Sequence, residues 1–242
     1  MKRNRGSLLL VGLIAATLLV VVLLGSDEAG SARGPFIAVG VAAGVALLFA
    51  GLFESSGIQV REVAIVALLG TLSALLRVPF AAIPSLQPST HLVICSGFVF
   101  GPVAGFMVGA LTAVVSNFFL GHGPWTLFQI VAWGLAGASA PLLRALPLRS
   151  GVLAGFGLIW GFVFGAIMNV WTWVSFVYPN TIETFLVTWA NSIWSDALHA
   201  AGNAFFLGLL GVRTIAILRR YHGRFHWERL SPQAVDADNQ SE

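Results

Sequence analysis

Asp196, His199 and Asn203 stand at i, i+3 and i+7 of one apolar stretch. On a helix that spacing puts a carboxylate, an imidazole and an amide on one face. Asn191 and Trp194 precede them in the same stretch. Asn169 and Trp173 are four apart, as are Gln129 and Trp133, so each pair shares a helical face. Asn117, His122 and Trp125 flank a short connection over 120–126. Polar groups inside an apolar span are costly and usually face a cavity or a partner. If they converge, these side chains give aromatic walls with sparse amides and one carboxylate, the make-up of a small-molecule pocket. Each also has a plainer role. Trp125 and Trp189 suit interfacial anchors, the amides suit bonds between neighbouring helices, and an Asp196–His199 ion pair can serve only to join two helices.

Catalytic chemistry finds little support. Asp196 and His199 supply two members of a Ser-His-Asp arrangement, but no G-x-S-x-G elbow accompanies them. There is no H-E-x-x-H for a metalloprotease and no Walker A sequence for ATP hydrolysis. His91, His122 and His199 are too scattered to define a metal site by spacing. The single cysteine, Cys95, lies in an apolar run, which excludes an intrachain disulfide framework and suits a buried small residue. The chain is therefore read as a non-enzyme that itself holds no metal or cofactor, with too few carboxylates in its spans for an obvious proton relay.

The elements that must position these residues follow from composition. Hydrophobic residues make up 57% of the 242, and charged residues only 10%. Mean hydropathy is +0.86. A soluble domain carries about 25% charge, so this core must sit in lipid, where helices or a closed barrel are the options. Apolar segments at about 8–25, 36–53, 63–78, 92–100, 103–119, 127–143, 152–176 and 190–218 lack strict alternation and read as helices. The first follows a basic start, Met1-Lys2-Arg3-Asn4-Arg5, but is longer than a signal-peptide core and reads as a retained helix. The fourth is too short to span alone. It begins earlier, near Pro88, or lies as a partial helix against the fifth, from which Gly101-Pro102 separates it. Eight spans place both termini on one side, together with Lys2, Arg3, Arg5, Arg61, Arg144, Arg149, Arg213, Arg219, Arg220, Arg224 and Arg229. Only Arg33 and Arg77 fall opposite. The positive-inside bias then puts both termini in the cytoplasm of a multi-pass cell-membrane protein. It also accounts for the net charge of +3 without nucleic acid as a partner. The outer connections are 26–35, 77–91, 120–126 and 177–189, and the tail from about 231 is polar. Gly97, Gly101, Gly105 and Gly109, like Gly157, Gly161 and Gly165, recur every four positions and read as close-packing ridges.

Four stretches carry a resemblance: Gln87-Pro88-Ser89-Thr90; Phe100-Gly101-Pro102-Val103-Ala104-Gly105-Phe106-Met107-Val108-Gly109; Ser116-Asn117-Phe118-Phe119-Leu120-Gly121-His122-Gly123-Pro124-Trp125-Thr126; and Gln129-Ile130-Val131-Ala132-Trp133-Gly134. The sequence resembles the substrate-binding S components of energy-coupling factor (ECF) transporters over about 61–220, and the G-x-G-P-W-T…Q-x-x-x-W-G block is the distinctive part. The resemblance implies an all-α, polytopic membrane bundle. A six-helix core over 61–220 binds the substrate, 1–60 adds two N-terminal transmembrane helices, and 221–242 forms a cytoplasmic tail. It implies a subunit that binds a vitamin from outside and delivers it inward. Its partners would be membrane lipid, a transmembrane T component and two cytoplasmic ATPases that consume the ATP. Cobalamin or a related corrinoid is the leading substrate, with riboflavin or thiamine as alternatives. A stand-alone secondary transporter and an intramembrane enzyme remain as other classes.

The resemblance also implies that the connection 77–91 covers the substrate. The expected substrate-binding set is Gln87, His91, Asn117, Trp125, Gln129, Trp133, Asn169, Trp173, Asn191, Asp196, His199 and Asn203. Partner docking in the family uses small residues spaced Ala-x-x-x-Ala. This chain departs from that spacing with Gly70-x-x-x-Ala74, so Ala67, Gly70, Thr71 and Ala74 are the expected docking surface.

Overall fold

A computed structural model describes residues 33–55, 60–83 and 85–224. The predicted first segment, 8–25, and the tail from 225 onward lie outside them. Eight helices follow in order: α1 Arg33–Ser55, α2 Val60–Phe80, α3 Ser89–Phe100, α4 Pro102–Leu120, α5 Trp125–Ser139, α6 Ser150–Phe176, α7 Ile182–Phe206 and α8 Val212–Arg224. A 3-10 turn, Ala140–Ala145, extends α5, and a π-turn, Leu207–Gly211, fuses α7 to α8. There is no strand among the described residues. Six helical stretches there are long and apolar enough to cross a membrane: Ala38–Ser55, Glu62–Phe80, Pro102–Leu120, Trp125–Ala145, Ser150–Phe176 and Ile182–Gly223. The chain is an all-helical, multi-pass membrane protein.

The short fourth segment is a half-length helix. Twelve residues of α3 rise only about 18 Å, and all but Phe100 are buried. It starts directly after Pro88 and ends at Gly101, whose φ of 103° lies in the left-handed region that glycine enters without strain. Pro102 then opens α4, where its missing N–H costs nothing. The last carbonyls of α3 would otherwise be orphaned. Arg144 satisfies two of them, donating from Nε to Phe98 O at 2.6 Å and from Nη2 to Val99 O at 2.9 Å.

Two long connections are shorter than the sequence suggests, the predicted 77–91 being 81–88 because α2 runs to Phe80 and α3 starts at Ser89. The predicted 177–189 loop is in fact only 177–181, because α7 begins at Ile182. Thr181 and Thr184 form a reciprocal cap, each hydroxyl accepting the other's backbone N–H at 3.3 and 3.1 Å. A capping box normally ends in Glu or Gln, and Thr184 in that role is easy to overlook.

Two glycine ridges set the packing. A Cβ added at Gly97 would fall on Gly137 O, one at Gly105 on the Gly137 backbone, and one at Gly109 on the Trp133–Gly134 backbone. These helices therefore touch main chain to main chain, binding α3, α4 and α5 into one block. On α6, Gly161 meets the Ala200 backbone of α7, Gly157 meets the Leu207 side chain and the Asn203 backbone, and Gly165 makes room for the Asp196 carboxylate. Gly101 belongs to neither ridge; its role is the α3–α4 turn. The molecule thus has two parts, a block of α2 to α5 and an α6–α7 hairpin. The additional helix α1 contacts α4, α5 and α6. Its inward stripe is Ala38, Ala42, Val45 and Phe49, and the Phe49 ring stacks on Phe106 at 3.9 Å.

Candidate functional site

Beneath the 81–88 connection, the two parts border a cavity of about 220 Å³, toward the 81–88 end of α2, near the start of α5 and midway along α6 and α7. It is lined by Arg77 of α2, Ser85 and Gln87 of the connection, Gln129 and Trp133 of α5, Gly161, Phe164, Gly165 and Met168 of α6, and Ser195, Asp196 and His199 of α7. Gly161 and Gly165 line one wall, where Gly161 packs on the Ala200 backbone and Gly165 leaves room for the Asp196 carboxylate.

Arg77 organises one side. It is 8% exposed although it carries a guanidinium. Nη1 donates to Ser116 Oγ at 2.6 Å and to Asn117 Oδ1 at 2.7 Å, and Nε donates to Gln87 Oε1 at 3.2 Å. The guanidinium carbon lies 4.8 Å from the Trp133 ring centroid, within cation–π range. Behind it, the Asn117 amide donates to Thr126 Oγ1 at 2.9 Å and to Gln129 Oε1 at 2.7 Å. Trp133 is fixed from the other edge by its Nε1–H, which donates to Thr90 Oγ1 at 3.1 Å. Three residues of the distinctive sequence block thus help to hold this arginine: Trp133 directly, and Thr126 and Gln129 through Asn117.

Asp196 and His199 occupy the opposite side. Ser192 Oγ donates to Asp196 Oδ2 at 2.8 Å, and Asn169 Nδ2 reaches the same oxygen at 3.4 Å and Ser192 Oγ at 2.6 Å. His199 makes no ion pair with Asp196. Its Nδ1–H donates to the Ser85 carbonyl at 3.0 Å, which ties the 81–88 connection to α7. Leu86 packs on Gly202 beside it.

Of the residues expected to bind substrate, Gln87, Gln129, Trp133, Asp196 and His199 line the cavity. Asn117 and Asn169 stand one layer behind, holding Arg77 and Asp196. The other five lie elsewhere. His91 Nε2 pairs with Thr214 Oγ1 at 2.9 Å, joining α3 to α8. Trp125 is 37% exposed at the start of α5, its ring beside Gly123. Trp173 is buried and donates from Nε1 to Thr184 Oγ1 at 2.9 Å, securing the α6–α7 turn. Asn191 is exposed on the outer surface of α7, with Ser192 turned inward in its place. Asn203 is buried against the α6 backbone at Gly157.

Sequence reasoning placed Arg77 among the orientation signals and left it out of the site. The available signal was an arginine one turn inside an apolar run, with matching acceptors at Gln87, Ser116 and Asn117. Among the expected docking residues, Ala67 and Thr71 are exposed on α2. Gly70 and Ala74 turn inward, Gly70 onto Leu111 of α4.

A family model described as "ECF transporter, substrate-specific component" matches residues 61–215. Among curated proteins, a UPF0397 protein of Lactiplantibacillus plantarum is 31% identical over 102 residues, 39% of this chain and 54% of that protein. This chain therefore aligns with about half of that relative's length. A UPF0397 protein of Aliivibrio fischeri strain MJ11 is 24% identical over 173 residues, 64% of this chain and 87% of that protein. No solved structure matches.

Proposed function

The chain belongs to the family of ECF transporter substrate-specific components, transport proteins rather than enzymes, and from that premise we propose that it captures a small vitamin-type substrate outside the cell membrane. A T component and two cytoplasmic ATPases complete the importer, and both termini of this chain face the cytoplasm. The observation that carries the reading is the cavity between the block and the hairpin, with Ser85 and Gln87 of the 81–88 connection in its lining.

Its size bears on which substrate. At about 220 Å³ it is below the usual range of about 300–1,000 Å³ for drug-sized ligands. That favours a vitamin or vitamin precursor of one or two rings. It disfavours a corrinoid, whose macrocycle alone exceeds such a space. Docking through α2 is supported by the exposed Ala67 and Thr71, four apart, with Leu68, Leu72 and Leu75 exposed on the same helix. Small residues at that spacing let a partner helix approach closely.

The test is uptake by cells expressing the chain alone, then with T and ATPase components, using labelled thiamine, riboflavin and cobalamin. Uptake that needs both the partners and ATP supports the reading. Uptake by the chain alone, driven by an ion gradient, would replace it with a stand-alone transporter. Replacing Thr71 by Leu should abolish partner-dependent uptake and leave binding to the purified chain intact.

A further inference from the structure

The two sides of the cavity carry unlike charges that do not meet. Arg77 is permanently cationic, and the groups it bonds, Gln87, Ser116 and Asn117, are all neutral. Asp196 is held by Ser192 and Asn169, also neutral. Neither has an ion-pair partner among the described residues, although both line the same space. A charge buried without a counter-charge is expensive, and the surrounding protein usually supplies one. Here hydrogen bonds to neutral groups fix each charge in position and leave it uncompensated.

The wall between them is aromatic. The Arg77 guanidinium lies over Trp133, Trp133 meets Phe164 at 4.9 Å between centroids, and Phe164 meets the His199 ring at 4.8 Å. The strip runs from the cationic side to the acidic side. Gly161 and Gly165 also line the cavity, and Gly165 makes room for the Asp196 carboxylate. At the acidic side, His199 gives Nδ1–H to Ser85, which in the neutral ring leaves Nε2 as an acceptor. That nitrogen is buried and has no protein partner.

We propose that the ligand is a small, flat, amphoteric molecule. An anionic group pairs with Arg77, an aromatic or conjugated ring lies along Trp133 and Phe164, and a protonated or N–H-bearing group meets Asp196 and His199 Nε2. The proposal rests on the reading of this cavity as the substrate site and adds the chemical class of what it takes. A neutral ligand would leave both charges unpaired, and a singly charged one would leave one of them unpaired.

Calorimetric titration of the full chain, purified in detergent, tests this with three matched probes at millimolar concentration: 4-(aminomethyl)benzoate, 4-methylbenzylamine and 4-methylbenzoate. The zwitterion should bind about tenfold or more tighter than either singly charged compound, since a charge-assisted hydrogen bond contributes about that factor. Arg77→Gln should bring the zwitterion to the level of the amine. Asp196→Asn should bring it to the level of the benzoate. Equal binding of all three, a preference for a singly charged probe, or no binding of the zwitterion overturns the proposal. The comparison on the unmodified chain stands even if Arg77→Gln fails to fold. A zwitterion preference with partner-independent uptake would keep the ligand class and remove the transporter-subunit reading. Partner-dependent uptake without the preference would do the reverse.

Discussion

Two tryptophans of the same chain separate binding from architecture at the scale of single residues. Trp133 lines the cavity under the Arg77 guanidinium, whereas Trp173 is bonded to Thr184 at the α6–α7 turn. Trp133→Ala should raise the Kd of the transported substrate about tenfold or more, the loss typical of a buried aromatic anchor. Trp173→Phe keeps the ring and removes only the N–H. It should leave Kd unchanged and lower the melting temperature of the detergent-solubilised chain, and equal loss of affinity in both variants would place Trp173 in the site after all. Arg77→Lys should not rescue Arg77→Gln. An ammonium is a point charge and cannot keep three fixed acceptors and the Trp133 face together, so titration should show both variants weakened. The sequence made the aromatic and amide side of this site legible because those residues fall at helical spacings. It hid Arg77 because a lone arginine near a span end has a commoner meaning as an orientation signal. It could not orient Asn191, since a one-residue rotation on α7 decides whether Asn191 or Ser192 faces inward.

The same contrast governs the helices. Lipid tails are as apolar as the side chains they would replace, so close packing rather than the hydrophobic effect holds these helices together. Backbone contact at Gly97, Gly105 and Gly137 is then a large share of what binds α3, α4 and α5. Gly137→Ala has no flexible side chain to push aside. It should cost about 1–3 kcal/mol or more, as overpacking does, read as an early thermal transition or loss of the monodisperse peak in size exclusion. Gly151→Ala and Gly155→Ala meet open space and should be neutral or slightly stabilising, because alanine is the better helix former. Arg144→Gln should also destabilise, by about 1–3 kcal/mol for the partly buried carbonyls it strands, with a larger effect on amide exchange in α3 than in α6. The glycine ridges were legible from spacing alone. The half-length α3 was legible only as an anomaly, because its length said it could not span but not that it would be enclosed on all sides. The early start of α7 escaped because its cap uses Thr184 where a glutamate would have signalled it.

For the whole molecule, Arg144 and Arg149 flank the α5–α6 connection and Arg219 lies over Phe98 near the close of α3, all at the end opposite the 81–88 connection. This favours an outward-facing site by the positive-inside rule. Cysteine replacements should show it. Ala82 and Ser150 are both exposed, at opposite ends, and Cys95, the one native thiol, is buried. An impermeant maleimide added to intact cells should label Ala82→Cys and spare Ser150→Cys; the opposite pattern would invert the topology. Segment type was legible over the described residues because hydropathy is a long-range average. The convergence of α2, α5, α6 and α7 on one cavity was not, because it depends on the rotation of each helix about its own axis.

The added helix α1 has a mechanical meaning. It touches both parts of the bundle, α4 and α5 on one side and α6 on the other, and lines none of the cavity between them. A seam fastened along one edge opens like a book, with α1 as the spine and the ligand between the leaves. The Phe49–Phe106 stack is one stitch of that binding. Loosening it with Phe49→Ala should change how fast a bound molecule escapes, seen in stopped-flow dissociation, while every group that touches the molecule stays as it was.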